Sequence, residues 1–130
     1  MSTVRVERTD DGFRAVNGRG GEITIGDSTD EAAFTPVELL LAAVGGCNIV
    51  SVEPLTAKRG HRLVRLAMDV DAEKVERNLL GPVTVTYDVE QPAGDERAEE
   101  IFKAVAHRVH ERACTVSRTL AEGTSVTVDA

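Results

Sequence analysis

The sequence predicts a mixed α+β domain, a largely antiparallel sheet with helices on one face. Three observations carry that expectation. Short apolar segments separated by glycine turns open the chain. A helix with both of its ends written explicitly lies between Thr35 and Gly60. An alternating strand pair and an amphipathic helix then fill the second half. A length of 130 residues suits a single domain, residues 1–130, with no internal repeat, low-complexity tract or linker.

Each element has its own signal. Val4 to Val16 reads as a hairpin around Asp10-Asp11-Gly12. Asn17-Gly18-Arg19-Gly20-Gly21 is a second turn into a short strand, Glu22 to Ile25, and Gly26 to Ala33 is loop-like. Thr35 is a good N-cap, Pro36 suits the first helical position, and Glu38 completes a Thr-x-x-Glu capping box. Lys58 and Arg59 occupy the last turn and Gly60 supplies a left-handed stop. Val37 and Leu39 through Val44 are apolar all round, which marks a helix buried on most sides, and partly by a second subunit. Gly45 and Gly46 each cost roughly 1 kcal/mol relative to Ala in a helix interior, so another backbone is expected to pack closely there. Pro54 removes one hydrogen bond and is expected to kink the helix.

Beyond it, Leu63 to Ala72 alternates with Val64, Leu66, Met68 and Val70 on one face. Val83, Val85, Tyr87 and Val89 form the apolar side of a second strand entered through Gly81-Pro82. The next helix begins near Asp95 and carries the stripe Ala98, Ile101, Phe102, Val105 and Val109, with acids at its start and His107, Arg108, His110 and Arg112 at its end. Ser117 to Glu122 reads as a short helical turn closed by Gly123, and Ser125 to Val128 as a last strand. The expected order is β-β-β-α-β-β-α-β.

Charge excludes several classes. Fifteen basic against 22 acidic residues leave a net charge of −7 with no compensating Lys/Arg block, so neither nucleic acid nor an anionic membrane is expected as a partner. The start of the chain lacks the apolar run of a signal peptide, and no segment stands out as approaching transmembrane length; a cytoplasmic location is the expectation.

The candidate chemistry centres on Cys47 and Cys114, which in a reducing compartment are core thiols or redox-active ones. Cys47 lies too far into its helix to feel the N-terminal dipole, and burial alone raises a thiol pKa. A reactive Cys47 therefore needs a cation delivered from elsewhere. Arg19 in its glycine-flanked turn is the favoured candidate, with Arg14 and Arg118 in reserve. Glu38, nine residues earlier, falls about half a turn away and roughly 13 Å along the axis, so the two side chains do not meet on one straight helix. Glu38 is the capping-box acid and, if it serves a thiol site, does so through an arginine or in a partner subunit. His107, His110 and Cys114 share one side of a continuous helix, but such a site is exposed and short of a fourth ligand, so no metal is assigned. For Cys114 to reach the core it must follow a break, which the Thr115-Val116-Ser117 run permits. Walker A, GxGxxG, GxSxG, HExxH and CxxC motifs are absent.

The stretch Thr35-Pro36-Val37-Glu38-Leu39-Leu40-Leu41-Ala42-Ala43-Val44-Gly45-Gly46-Cys47 resembles the central helix of the OsmC/Ohr family, the osmotically inducible protein C and organic hydroperoxide resistance proteins. Cys114-Thr115-Val116-Ser117-Arg118-Thr119-Leu120 is similar to that family's second-cysteine segment. The resemblance implies an OsmC-like fold in an intertwined homodimer, with two sites at the subunit interface, and a thiol-dependent peroxidase. By position, Cys47 matches the peroxidatic cysteine, Cys114 the resolving one, Glu38 the active-site glutamate and Arg19 the arginine that pairs with glutamate and thiolate. A peroxide substrate and an external, lipoyl-type dithiol reductant are implied, with no metal, flavin or haem cofactor. Thr115 stands where a proline often follows the second cysteine, and aromatics are sparse, which places the chain among OsmC-like proteins rather than in the hydroperoxide resistance branch. Two alternatives stay open: a non-catalytic dimer that binds a small apolar ligand or senses oxidants, and a protein whose cysteines are structural.

Overall fold

A computed structural model describes residues 2–60 and 62–130. The chain forms an α+β fold of two compact units, Met1–Leu40 and Leu41–Ala130. The first holds an antiparallel sheet of β1 (Arg5–Arg8), β2 (Phe13–Val16) and β3 (Glu22–Ile25). The expected hairpin closes through Thr9, whose amide donates to Gly12 O at 2.8 Å and whose hydroxyl accepts from Gly12 N at 3.0 Å. At the second turn Asn17 Oδ1 accepts from the amides of Arg19 (2.9 Å) and Gly21 (3.0 Å). Gly18 and Gly20 sit at φ of 80° and 96°, the left-handed backbone this turn demands.

Helix α1 (Pro36–Lys58) starts as its sequence dictates. Glu38 N donates to Thr35 Oγ1 at 3.1 Å and Thr35 N to Glu38 Oε1 at 2.8 Å, a reciprocal capping box. Gly60, at φ 76°, provides the left-handed stop. Burial on most sides is not what this chain provides. Val44, Asn48, Val52 and Thr56 are buried, whereas Val37, Val50 and Leu55 remain exposed and only 28% of the most apolar stretch of α1 is covered. A second expectation is also corrected: by length and composition α1 is apolar enough to cross a membrane. Its buried stripe packs instead on the second unit's own core.

In that unit β4 (Arg65–Asp71) pairs antiparallel with β7 (Thr84–Glu90). The register puts Leu66 opposite Val89, Met68 opposite Tyr87 and Val70 opposite Val85, so both apolar faces coincide. Gly45 of α1 meets this face. A Cβ there would lie 2.9 Å from Val70 Cγ2 and 3.4 Å from Met68 Sδ, so what packs at Gly45 is a pair of side chains on β4 and not the backbone expected there. Gly46 faces open space.

A small hairpin of β5 (Lys74–Glu76) and β6 (Leu79–Leu80) was not expected, because its residues are largely exposed and do not alternate. Asn78 turns it at φ 64°. Helix α2 (Ala98–Arg108) buries Ala98, Phe102 and Val105, as its stripe predicts. The short turn expected at Ser117 is a full helix, α3 (Thr115–Glu122), closed by Gly123 at φ 72°. Among the described residues the expected last strand is absent: Ser125 to Val128 pairs with no strand there, and Val126 and Val128 are 85% and 83% exposed.

Candidate functional site

The approach of Cys114 to the core depends on a change in helical winding. A π-helical turn, Val109–Ala113, follows α2, and Cys114 N donates to Val109 O at 2.8 Å. On an α-helix, residues five apart point roughly 140° away from each other. The wider turn places both on the same side, so Val109 and Cys114 are each 0% exposed. The chain then breaks at Cys114 itself (φ −79°, ψ 102°), one residue before the run expected to permit it. His107 and His110 stay exposed while Cys114 turns inward, which separates the three residues weighed as a metal set. Among the described residues no cluster of three His, Cys, Asp or Glu forms.

Cys114 is the N-cap of α3, and its sulfur accepts from Ser117 N at 3.3 Å. Ser117 Oγ lies 3.1 Å from the same sulfur, close enough for the thiol to donate to the hydroxyl, or for the hydroxyl to donate to a thiolate. From α1, Asn48 Nδ2 donates one hydrogen to Val44 O at 2.8 Å, and its second lies within reach of Ser117 Oγ (3.3 Å) and Cys114 Sγ (3.7 Å). Asn48 is 2% exposed, so an amide placed there has no water to satisfy it and depends on these partners. Neither Asn48 nor Ser117 was singled out in the sequence. The available signal was a lone amide directly after Cys47, on the side of an apolar helix that faces the core.

Cys47 is half-buried on α1 and packs against the same core as Cys114; both thiols are free. Their protons are held differently. Burial pushes the Cys47 thiol up, and its hydrogen bond to Cys114 and that sulfur's charge push the same way, against weaker opposing help from the amides of Val116 and Thr115. Burial works against ionisation of Cys114 too. There, hydrogen bonds from Cys47, from the Ser117 hydroxyl and from the amides of Ser117 and Val116 prevail, and hold it below the ordinary thiol range. The α3 N-terminus favours the same anion.

Tyr87 of β7 packs on this core with its ring edge-to-face against Phe102, centroids 5.1 Å apart at 83°. Among the described residues its buried hydroxyl has no hydrogen-bond partner, and burial, then the nearby Cys114 charge, raise its pKa.

The structure therefore brings Cys47 and Cys114 together in the second unit, while Arg19 and Glu38 belong to the first. Arg19 is exposed in its turn and Glu38 is engaged in the capping box. Of the reserve arginines, Arg14 is held by Glu7 at 2.7 Å and Glu22 at 3.6 Å. Arg118 lies on the outer side of α3 along a shallow groove of about 550 Å³.

Comparison with known proteins addresses the fold and the family. Uncharacterized proteins of Mycobacterium bovis and Mycobacterium tuberculosis are each 34% identical over 99% of this chain and 96% of their own length. An OsmC-like protein from Mycoplasma pneumoniae superposes with a TM-score of 0.72 at 14% identity, covering 95% of this chain and 89% of that one. The organic hydroperoxide resistance protein OhrB of Bacillus subtilis superposes with a TM-score of 0.61 at 18% identity, over 98% of this chain and 95% of that one. At such identities the two structures speak for the fold. Residues 26–129 match the family described as OsmC-like protein, so the chain belongs to the OsmC-like family.

Proposed function

We propose that this protein is a cytoplasmic thiol peroxidase that reduces an organic or hydrogen peroxide through Cys47 and Cys114. The observation that carries the reading is the pair of free thiols packed in one core, of which one is half-exposed and the other buried. Cys47, the reachable sulfur, attacks the terminal oxygen of the hydroperoxide and becomes a sulfenic acid, releasing the alcohol or water. Cys114 condenses with it to a disulfide, releasing water, and an external dithiol of the lipoyl type reduces that bond. Arg19 stabilises the Cys47 thiolate and polarises the O–O bond, and Glu38 orients Arg19. No metal, flavin or haem takes part.

The working unit in this reading is a homodimer. In the single chain Val6, Phe13 and Ile23 of the first sheet lie exposed, as do Val37 and Val50 on α1, and Val126 and Val128 end the chain uncovered. Apolar surface of that extent calls for cover. Residues of the first unit can then serve the thiols of either copy.

The test is oxidation of the reduced protein with an organic hydroperoxide, followed by disulfide mapping in wild type and Cys47→Ser. Rapid Cys47–Cys114 bridging, lost in the variant, together with turnover on a dithiol, is the expected result. Thiols unreacted after excess oxidant overturn it. The raised pKa of Cys47 favours a second reading, a slow oxidant sensor, and bridging without turnover would select it.

A further inference from the structure

We propose that Asn48 is a positioning residue for disulfide closure: its side chain ties the helix that carries Cys47 to the start of α3 and so holds the Cys114 sulfur where a Cys47 sulfenic acid can meet it. Asn48 directly follows Cys47, about 100° further around α1. One amide hydrogen is spent within α1, on Val44 O at 2.8 Å, which fixes the side chain against its own helix. The other faces Ser117 Oγ at 3.3 Å and Cys114 Sγ at 3.7 Å, across 69 and 66 residues of chain. Ser117 is bound in turn to Cys114, its amide donating to the sulfur at 3.3 Å and its hydroxyl accepting from the thiol at 3.1 Å. The three side chains close a ring of contacts away from water, at 2%, 9% and 0% exposure for Asn48, Ser117 and Cys114. Val44 and Val52, on the same buried stripe of α1, pack by apolar contact, which has no preferred direction. The amide of Asn48 adds direction, because its hydrogen bonds are met at one rotation and height of the helix. A disulfide needs that precision, since its Cβ atoms must come to roughly 3.8 Å.

The inference rests on the peroxidase reading for its chemistry and concerns the second step. The Cys114 sulfur attacks the sulfenic sulfur of Cys47; the S–S bond forms and the S–O bond breaks. The expelled hydroxide and the Cys114 proton leave as water. The Cys114 sulfur is oxidised and the sulfenic sulfur reduced, so no further oxidant enters. Asn48 takes no part in the electron or proton transfer and acts only through where it holds Cys114.

The test follows the two steps separately in wild type, Asn48→Ala, Ser117→Ala and the double variant. Val52→Ala, fully buried one turn further along α1, controls for lost packing. With one equivalent of an organic hydroperoxide, a sulfenic-acid trap is expected to label Cys47 at the wild-type rate in Asn48→Ala. Cys47–Cys114 bridging there is expected to slow by about 10- to 100-fold, the loss that misplacement by about an ångström causes. Ser117→Ala is expected to slow bridging in the same direction, and the double variant to be no slower than Asn48→Ala, because the two act through one contact. Wild-type bridging in Asn48→Ala overturns the proposal. Equal slowing in Val52→Ala also overturns it, by making the amide a packing residue. Ser117→Ala carries the test if Asn48→Ala does not fold. A second arm uses no peroxide: each chain is equilibrated with oxidised and reduced dithiothreitol. The closure constant of Cys47–Cys114 is expected to fall about 10-fold in Asn48→Ala and to stay near wild type in Val52→Ala; an unmoved constant in Asn48→Ala overturns the proposal. If hydroperoxide leaves the wild-type thiols untouched while this equilibrium shifts as stated, the peroxidase reading fails and the positioning role of Asn48 stands.

Discussion

Cys114 caps the helix whose third amide, Ser117 N, reaches back to its sulfur at 3.3 Å. A cap is usually a hydroxyl or carboxylate; here it is a thiol, so the local signal that starts a helix also lowers the proton affinity of a cysteine. The pair therefore links fold stability to redox chemistry.

The first prediction is a pH dependence. The folded state holds Cys114 below the ordinary thiol value of 9.0, so it binds fewer protons there than the unfolded chain. Its stabilising effect is full above 9.0 and is lost as pH falls through the lower folded pKa. Cys47 has the opposite sign: its contribution is present below 9.0 and is lost as pH rises through its raised folded pKa. Urea unfolding of the reduced protein, with Cys114→Ser subtracted, is expected to show stability rising toward the ordinary thiol range. A flat difference would contradict the assignment.

Glycine substitutions on α1 separate packing from propensity. Gly45→Ala drives a Cβ to 2.9 Å from Val70 Cγ2 and is expected to cost about 1–3 kcal/mol in thermal or denaturant unfolding. Gly46→Ala meets nothing within 4 Å in the single chain and is expected to gain up to about 1 kcal/mol from helix propensity. Should Gly46→Ala destabilise instead, and shift sedimentation toward monomer, the second copy packs on that position.

Tyr87→Phe keeps the edge-to-face contact with Phe102 and removes a buried hydroxyl that has no partner. An unsatisfied buried polar group costs about 1–3 kcal/mol, so the variant is expected to match or exceed wild-type stability. A loss of more than about 1 kcal/mol would mean the hydroxyl finds a partner in the assembled protein.

Glu38 tests the division between structure and chemistry. Glu38→Gln preserves an acceptor for Thr35 N, now 2.8 Å from Glu38 Oε1, and is expected to change stability by less than about 0.5 kcal/mol. In the peroxidase reading it lowers turnover with stability unchanged. Equal turnover at equal stability would confine Glu38 to its capping role.

Much of this molecule is legible in the order of its residues, because much of it is local. Thr35 and Glu38 start a helix by hydrogen bonds three residues apart, Gly60 and Gly123 stop helices by adopting a backbone other residues avoid, and Leu66, Met68 and Val70 declare a strand by alternating. The resemblance at Thr35–Cys47 named the family on the same kind of contiguous signal. Other features needed the folded chain. Nothing short-range marks the π-helical turn that brings Cys114 inward, the exposed β5–β6 hairpin, or the uncovered side of α1, which is apolar whether this chain or another covers it. The surroundings of Cys114 are the clearest case. The sequence directed attention to Cys47 and to an arginine for it. Tertiary structure instead gathers Asn48 from α1, Ser117 from α3 and the end of a π-turn around Cys114. A sulfur's charge answers to every donor within a few ångströms, and only folding decides which distant residues those are.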